Sequence, residues 1–169
     1  MKKLFILFSP FLLAFAMTGI QHWKVGKGFE VAFSSPDIKG TFKTMTAILN
    51  FDEKDLEHSL FDVKVQANSL ESVNPAMDDA AKGADMLNTA KYPEIHFLSS
   101  KVINKDTSFV AAGTLEMHGV KKNLSIPFSF RNHVFKGGFR IACSDYGMKG
   151  TGKGASDTVQ IMLNVPVTE

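Results

Sequence analysis

The sequence predicts an all-β protein: a single antiparallel β-barrel of about eight strands with one short inserted helix. Three observations lead there. Apolar and polar residues alternate at period two through most of the chain, the spacing of half-buried strands. Each alternating stretch offers one apolar face, and no second packing layer is evident, so closing the sheet on itself is the economical way to bury that face. Only one stretch has helical spacing, which argues against a repeating strand–helix–strand series.

The chain begins with an address rather than with structure. Lys2 and Lys3 precede the apolar run "LFILFSPFLLAFA", and Ala14-Phe15-Ala16 fits an A-x-A cleavage site. The run is shorter than the roughly 20 residues that span a bilayer as a helix. Residues 1–16 are therefore expected to be a signal peptide, with cleavage after position 19 as the second choice, and residues 17–169 to be one domain. Cleavage removes two lysines, so Lys+Arg falls from 19 to 17 and equals Asp+Glu at 17. A neutral mature domain gives no electrostatic reason to expect nucleic acid as a partner. Cys143 is the single cysteine, so the core has to hold the fold without a disulfide. Its position in phase with Phe139 and Ile141 reads as a small buried apolar side chain.

The expected strands follow in order. "HWKVG" runs into "FEVAFS". In "GTFKTMTAILNFD", Phe42 is out of step with Met45, Ala47, Leu49 and Phe51, which predicts a bulge near Lys43 and Thr44. "LFDVKVQANS" sets Phe61, Val63, Val65 and Ala67 against Asp62, Lys64, Gln66 and Asn68. "NPAMDDAAKGADMLN" then breaks the alternation. Asn74 is placed as its N-cap and Pro75 at its first helical position, and Met77, Ala80, Ala81, Ala84 and Leu87 share a face. Strands resume with "EIHFLSSKVI", "SFVAAGTLEM", "KNLSIPFSF", "HVFKGGFRIACS" and "TVQIMLNVPV".

Chemistry-bearing patterns are few. "YGMKGTGKGASD" has the glycine and lysine spacing of a phosphate-binding loop, but position 154 is Gly rather than Ser or Thr. The stretch that follows alternates like a strand, where such a loop needs a helix. It reads as a hairpin loop. The five histidines do not pair at metal-ligand spacing, and Glu116 with His118 would supply two ligands on one strand face but no third. His96 lies between Ile95 and Phe97, hence on the outer face. Asp78 and Asp79 diverge by about 100° on a helix and read as a solvated N-terminus. The serines lack a nucleophile elbow. No catalytic residues, no metal and no cofactor are expected.

Phenylalanine dominates instead. Of 15, four (Phe5, Phe8, Phe11, Phe15) lie in the leader, leaving 11 against one Trp and two Tyr. A barrel of about eight strands is either filled by its own side chains or holds one ligand, and alternation leaves both open.

Four stretches resemble the YceI-like family of exported lipid-binding proteins. "GTFKTMTAILNFD" resembles the family's G-x-F segment. "DMLNTAKYPEIHF" is similar to its D-F-L-D-x-x-K-Y-P-x-I-x-F signature through Asp85, Leu87, Lys91, Tyr92, Pro93, Ile95 and Phe97. "GTLEMHGVKKNLSIP" matches its G-x-L-x-x-x-G-V-x-K hairpin through Gly113, Leu115, Gly119, Val120 and Lys122, and "SDYGM" its stretch before the last strand. The resemblance implies a lipocalin-like barrel with a hydrophobic tunnel and a helix near its mouth. The chain departs from the family at that helix, with Met77, Ala80 and Ala81 where a basic residue, His and Leu are usual.

The expected function is therefore an exported carrier, periplasmic or secreted, of a long-chain isoprenoid or fatty lipid. The expected tunnel lining is Phe33, Phe42, Leu49, Phe61, Val63, Val65, Phe97, Leu115, Phe128, Phe139, Ile141, Ile161 and Leu163, with Lys149 and Lys153 as headgroup contacts. Expected partners are the lipid and, transiently, a membrane or a donor or acceptor protein, for a monomer or homodimer. The rival readings are a structural or stress-response barrel with a filled core, and an enzyme acting on such a lipid through His118 or Glu116.

Overall fold

The computed structural model, which describes residues 20–149 and 156–169, turns every alternating stretch among them into strand. The expected signal peptide lies outside the described residues. The strands are β1 (His22–Val25), β2 (Glu30–Ser34), β3 (Lys39–Phe42), β4 (Met45–Asn50), β5 (Leu60–Gln66), β6 (Leu70–Ser72), β7 (Glu94–Lys105), β8 (Ser108–Met117), β9 (Val120–Arg131), β10 (Val134–Ala142) and β11 (Thr158–Thr168). Helix α1 spans Asp78–Lys82.

Eight strands close the ring, in the order β1, β4, β5, β7, β8, β9, β10, β11, with β11 returning to β1. Every pairing is antiparallel. The remaining three strands extend the ring at one end. β2 continues β1 along β11, β3 pairs with β2 ahead of β4, and β6 follows β5 and pairs with β3. The expected eight strands are thus present, with the first three each broken in two.

The break between β3 and β4 falls at Lys43 and Thr44, where the phase slip predicted a bulge. Both amides leave the ladder and turn to Ser69: Lys43 N–H donates to its carbonyl at 3.1 Å and Thr44 N–H to its hydroxyl at 3.1 Å. The break lets Phe42 and Leu49 both face inward, where each is buried.

The helix is shorter than its sequence pattern predicts. Asn74 caps a 3-10 turn, Pro75–Met77, its side chain accepting from Ala76 N–H at 3.3 Å, and α1 then runs only to Lys82 before Gly83 ends it. Ala84 is therefore exposed, as is Ala80, and only Ala81 of the predicted apolar face is buried within the helix. Leu87 still reaches the core because its N–H bonds back to Ala81 O at 3.1 Å. Asp78 is not merely solvated, since its carboxylate accepts from Ser72 N–H at 2.9 Å and from the Ser72 hydroxyl at 2.6 Å.

One seam of the ring is incomplete. The β9–β10 ladder holds four residue pairs, from Val134–Arg131 to Gly137–Phe128, whereas β10–β11 holds nine. The ladder stops at Pro127, whose carbonyl lies so close to Gly137 that a Cβ there would sit 2.7 Å from it. That edge of Pro127 faces β10 and has no N–H to donate. Beyond it, two side-chain contacts reach the segment after β10, from His118 in the turn before β9 to Tyr146 O and from Lys122 on β9 to Asp145.

Aromatic rings pack one end of the barrel. Phe51 is 1% exposed and meets Phe61, Phe109, Phe128, Phe130 and Phe135 at centroid separations of 5.1–5.9 Å, mostly edge to face. Trp23 lies on Phe130 at 5.0 Å and donates its indole N–H to Phe51 O at 2.9 Å. Edge-to-face pairs add about 0.5–1.5 kcal/mol each beyond the area they bury, so this end is closed by packing alone.

Candidate functional site

Between the aromatic end and the helix end the barrel is hollow. A cavity of about 220 Å³ runs along its interior, larger than the roughly 150 Å³ apolar cavity that stays dry and takes up benzene. It is built by register. Met45, Val65 and Ile95 stand in one cross-strand row, Ala47, Val63, Phe97 and Leu115 in the next, and Leu49 with Phe61 in a third. Strand periodicity puts every second residue of each strand into these rows.

All thirteen residues expected to line a tunnel border this cavity: Phe33, Phe42, Leu49, Phe61, Val63, Val65, Phe97, Leu115, Phe128, Phe139, Ile141, Ile161 and Leu163. Phe61, Phe128 and Phe135 form its floor against the aromatic end. The helix end supplies Cys143, whose phase the alternation read as buried, and residues that it did not single out, namely Ile38, Ala81, Met86, Leu87 and Met148. These come from turns and from α1, where period two is absent. The only hint of them in the sequence was the spacing of Ala81 and Leu87. Lys136 is the one charged residue among the described lining residues, and it is exposed.

The cover over the helix end is tied down by polar contacts. Lys149 N–H donates to Asp85 O at 2.8 Å, and its ammonium lies 3.3 Å from the Asp85 carboxylate. Lys149 thus stands beside the lining residue Met148 with its charge already paired, while Lys153 lies outside the described residues. Asp157 accepts from Ser144 N–H at 2.8 Å and from the Ser144 hydroxyl at 2.7 Å. Those two bonds hold its carboxyl below the usual range, the amide contributing more. The Ser72 hydroxyl and amide do the same for Asp78. Burial pushes the Cys143 thiol up, with the Asp157 charge adding to it, so Cys143 is an inert apolar lining group at neutral pH.

Residues raised as catalytic or metal candidates do not converge. Strand β8 ends at Met117, and His118 with Gly119 forms a two-residue turn at φ 53° and 77°. Glu116 and His118 therefore do not share a strand face. Glu116 pairs with Lys121 at 3.3 Å. His118 Nδ1 donates to Tyr146 O at 2.9 Å, and its ring abuts Tyr92 at 5.0 Å. Tyr92 in turn covers Gly119, where a Cβ would fall 2.6 Å from the ring. His96 faces outward and bonds Asp62 at 2.8 Å, His58 bonds Asp55, and His22 bonds Asn50. No three His, Cys, Asp or Glu side chains among the described residues form a metal-sized group. The stretch "YGMKGTGKGASD" lacks a following helix: β11 comes next, antiparallel to β10.

Comparison with known proteins gives consistent matches. Residues 20–167 match the model of the YceI-like domain. A UPF0312 protein of Vibrio parahaemolyticus is 35% identical over 94 residues, 55% of this chain and 50% of that protein, so the match spans about half of that relative's length. Protein YceI of Escherichia coli O157:H7 is 27% identical over 136 residues, 75% of this chain and 71% of that one. Among solved structures, BcnA of Burkholderia cenocepacia superposes with a TM-score of 0.77 at 21% identity, covering 83% of this chain and 96% of its own. A polyisoprenoid binding domain from Saccharophagus degradans, implicated in plant cell wall breakdown, superposes with a TM-score of 0.64 at 11% identity, covering 87% and 97%. At these identities the structural likeness concerns the fold.

Proposed function

We propose that this chain, which belongs to the YceI-like family, is an exported carrier that holds the hydrocarbon chain of an isoprenoid or similar amphipathic lipid inside its barrel. The cavity is the observation that carries the reading. It is roomy, closed at one end by aromatic packing, and lined by apolar side chains apart from Lys136. Burial of apolar surface is worth about 25 cal/mol per Å². A polar or charged group would lose its hydration in such a lining without gaining a partner, so the occupant is a hydrocarbon with any headgroup left at the helix end. Lys149 stands near that end, where exchange of its Asp85 partner for an anionic headgroup would cost little at an exposed site.

The polyisoprenoid-binding description of the Saccharophagus degradans domain supports the lipid class. The basic start, apolar run and A-x-A site of residues 1–16 support export. Binding without chemistry is favoured because His118 and Glu116 are each engaged elsewhere.

Two measurements test the proposal. Organic extraction of the purified protein followed by mass spectrometry is expected to release a prenyl or fatty lipid in near-stoichiometric amount. The stripped protein is expected to take up an added polyprenol. A protein that is clean on purification and takes up no prenol or fatty acid is not a lipid carrier.

A further inference from the structure

Resting on the lipid reading above, we infer that the aromatic end acts as a ruler: the floor backed by Phe51 limits the chain inside the barrel to about three isoprene units. Phe61, Phe128 and Phe135 border both the cavity and the aromatic cluster, whereas Phe51, Phe109 and Phe130 belong to the cluster and do not line the cavity. The cavity therefore stops at three rings, and Phe51 fills the space directly behind them. Because Phe51 is 1% exposed and touches five other rings, it has no room to swing aside for a longer chain. The floor is a fixed wall.

The depth follows from the strands. Cavity-lining residues run from Val159 to Val165 on β11 and from Phe135 to Ile141 on β10. Six residues at about 3.4 Å each give about 20 Å along a strand. Barrel strands tilt by about 35–45°, which leaves about 15 Å along the axis. An extended chain advances about 3.3–3.6 Å over three bonds, hence about 4.5 Å over the four main-chain bonds of an isoprene unit. About three units fit between the cover and the floor. A longer prenyl chain leaves its remaining units outside, at the helix end, where they gain no burial.

The length series itself is the test. Prenyl alcohols from two isoprene units upward are titrated against the purified protein, and occupancy is read by native mass spectrometry as prenol bound per protein. Affinity is expected to rise by at least about tenfold per unit through the third, then by less than about threefold for each further unit. In Phe51→Ala the break is expected to move to a longer chain, and long prenols should then shift the emission of Trp23, which packs behind the floor. Phe51→Leu, a milder truncation, should move it the same way by less if Phe51→Ala does not fold. Tenfold gains that continue past the fourth unit, or a folded Phe51 variant whose break does not move, overturn the ruler while leaving lipid binding intact. Failure of every prenol to bind the parent protein overturns both.

Discussion

The two ends of this barrel are closed by different chemistry. At one end Phe51 and six further aromatic side chains interlock. At the other, a one-turn helix, two short turns and Met148 lie across the opening. Carboxylate hydrogen bonds at Asp78 and Asp157 and the Lys149–Asp85 pair hold them. Packing in a dense core leaves few alternatives. Short segments held by a few exposed polar contacts open locally at much lower cost. For the proposed carrier these are one wall and one door, the first made by phenylalanine and the second held by aspartate.

The largest way to break this contrast is to cut into the wall. Phe51→Ala is expected to cost about 3–5 kcal/mol, whereas Leu87→Ala in the cover, already beside empty space, should cost less than half of that. Urea unfolding of both variants checks it, and equal losses would mean that the cover contributes as much as the wall. The next effect concerns binding. Ala81→Phe points a ring from α1 into the cavity and is expected to weaken prenol uptake at least about tenfold, equivalent to about 1.4 kcal/mol, with little change in Tm. Uptake at the parental level would show that the helix does not limit the cavity.

A third test sharpens the picture at the seam. Pro127→Thr restores an N–H on the edge facing β10, so the short ladder can lengthen. Amide exchange of Gly138–Ala142 is expected to slow several-fold, with stability rising by about 0.5–1 kcal/mol. Unchanged exchange would mean that something other than the missing donor ends the ladder. The smallest effect is that of acid. The carboxyls of Asp78 and Asp157 are held below the usual range by bonds that exist only in the folded state. Their stabilisation is full above the ordinary carboxylate range and is lost as pH falls through the lowered folded values. Hydrogen exchange is therefore expected to rise at residues 72–82 and 143–147 on acidification, before the protection of Phe51 and Phe61 changes. Loss of protection at both ends together would contradict the division.

Most of this architecture was legible in the residues. Period two placed all thirteen expected lining positions on the cavity side, and the phase slip at Phe42 located the break between β3 and β4. Of the cover, only the helix near the mouth was legible, from the family resemblance and the spacing of Ala81 and Leu87, because turns carry no periodicity. The helix was read too long because Ala84 and Leu87 continued the spacing of Ala81, although Gly83 stood between them. Leu87 is buried by a turn instead. Nor does alternation distinguish wall from door. Phe51 shares the inward phase of Leu49, and only its distance along the strand decides that it seals rather than lines. His118 was misplaced for a related reason: a strand reading ran past Met117 into a turn that His118 and Gly119 make with positive φ.

The ring is joined by its first strand and its last, with Lys24 opposite Thr168 and Val25 opposite Val167. That contact has nearly the longest sequence separation the chain offers, and forming it carries the largest loop-closure entropy. The ring has nothing to close on until the eleven residues of β11 are present. Local hairpins such as β7–β8 form early, but the complete barrel is a late, slow event, as expected of topologies dominated by distant pairings. Until β11 arrives, the barrel keeps two open edges, on β10 and on β1, that only this one strand can join.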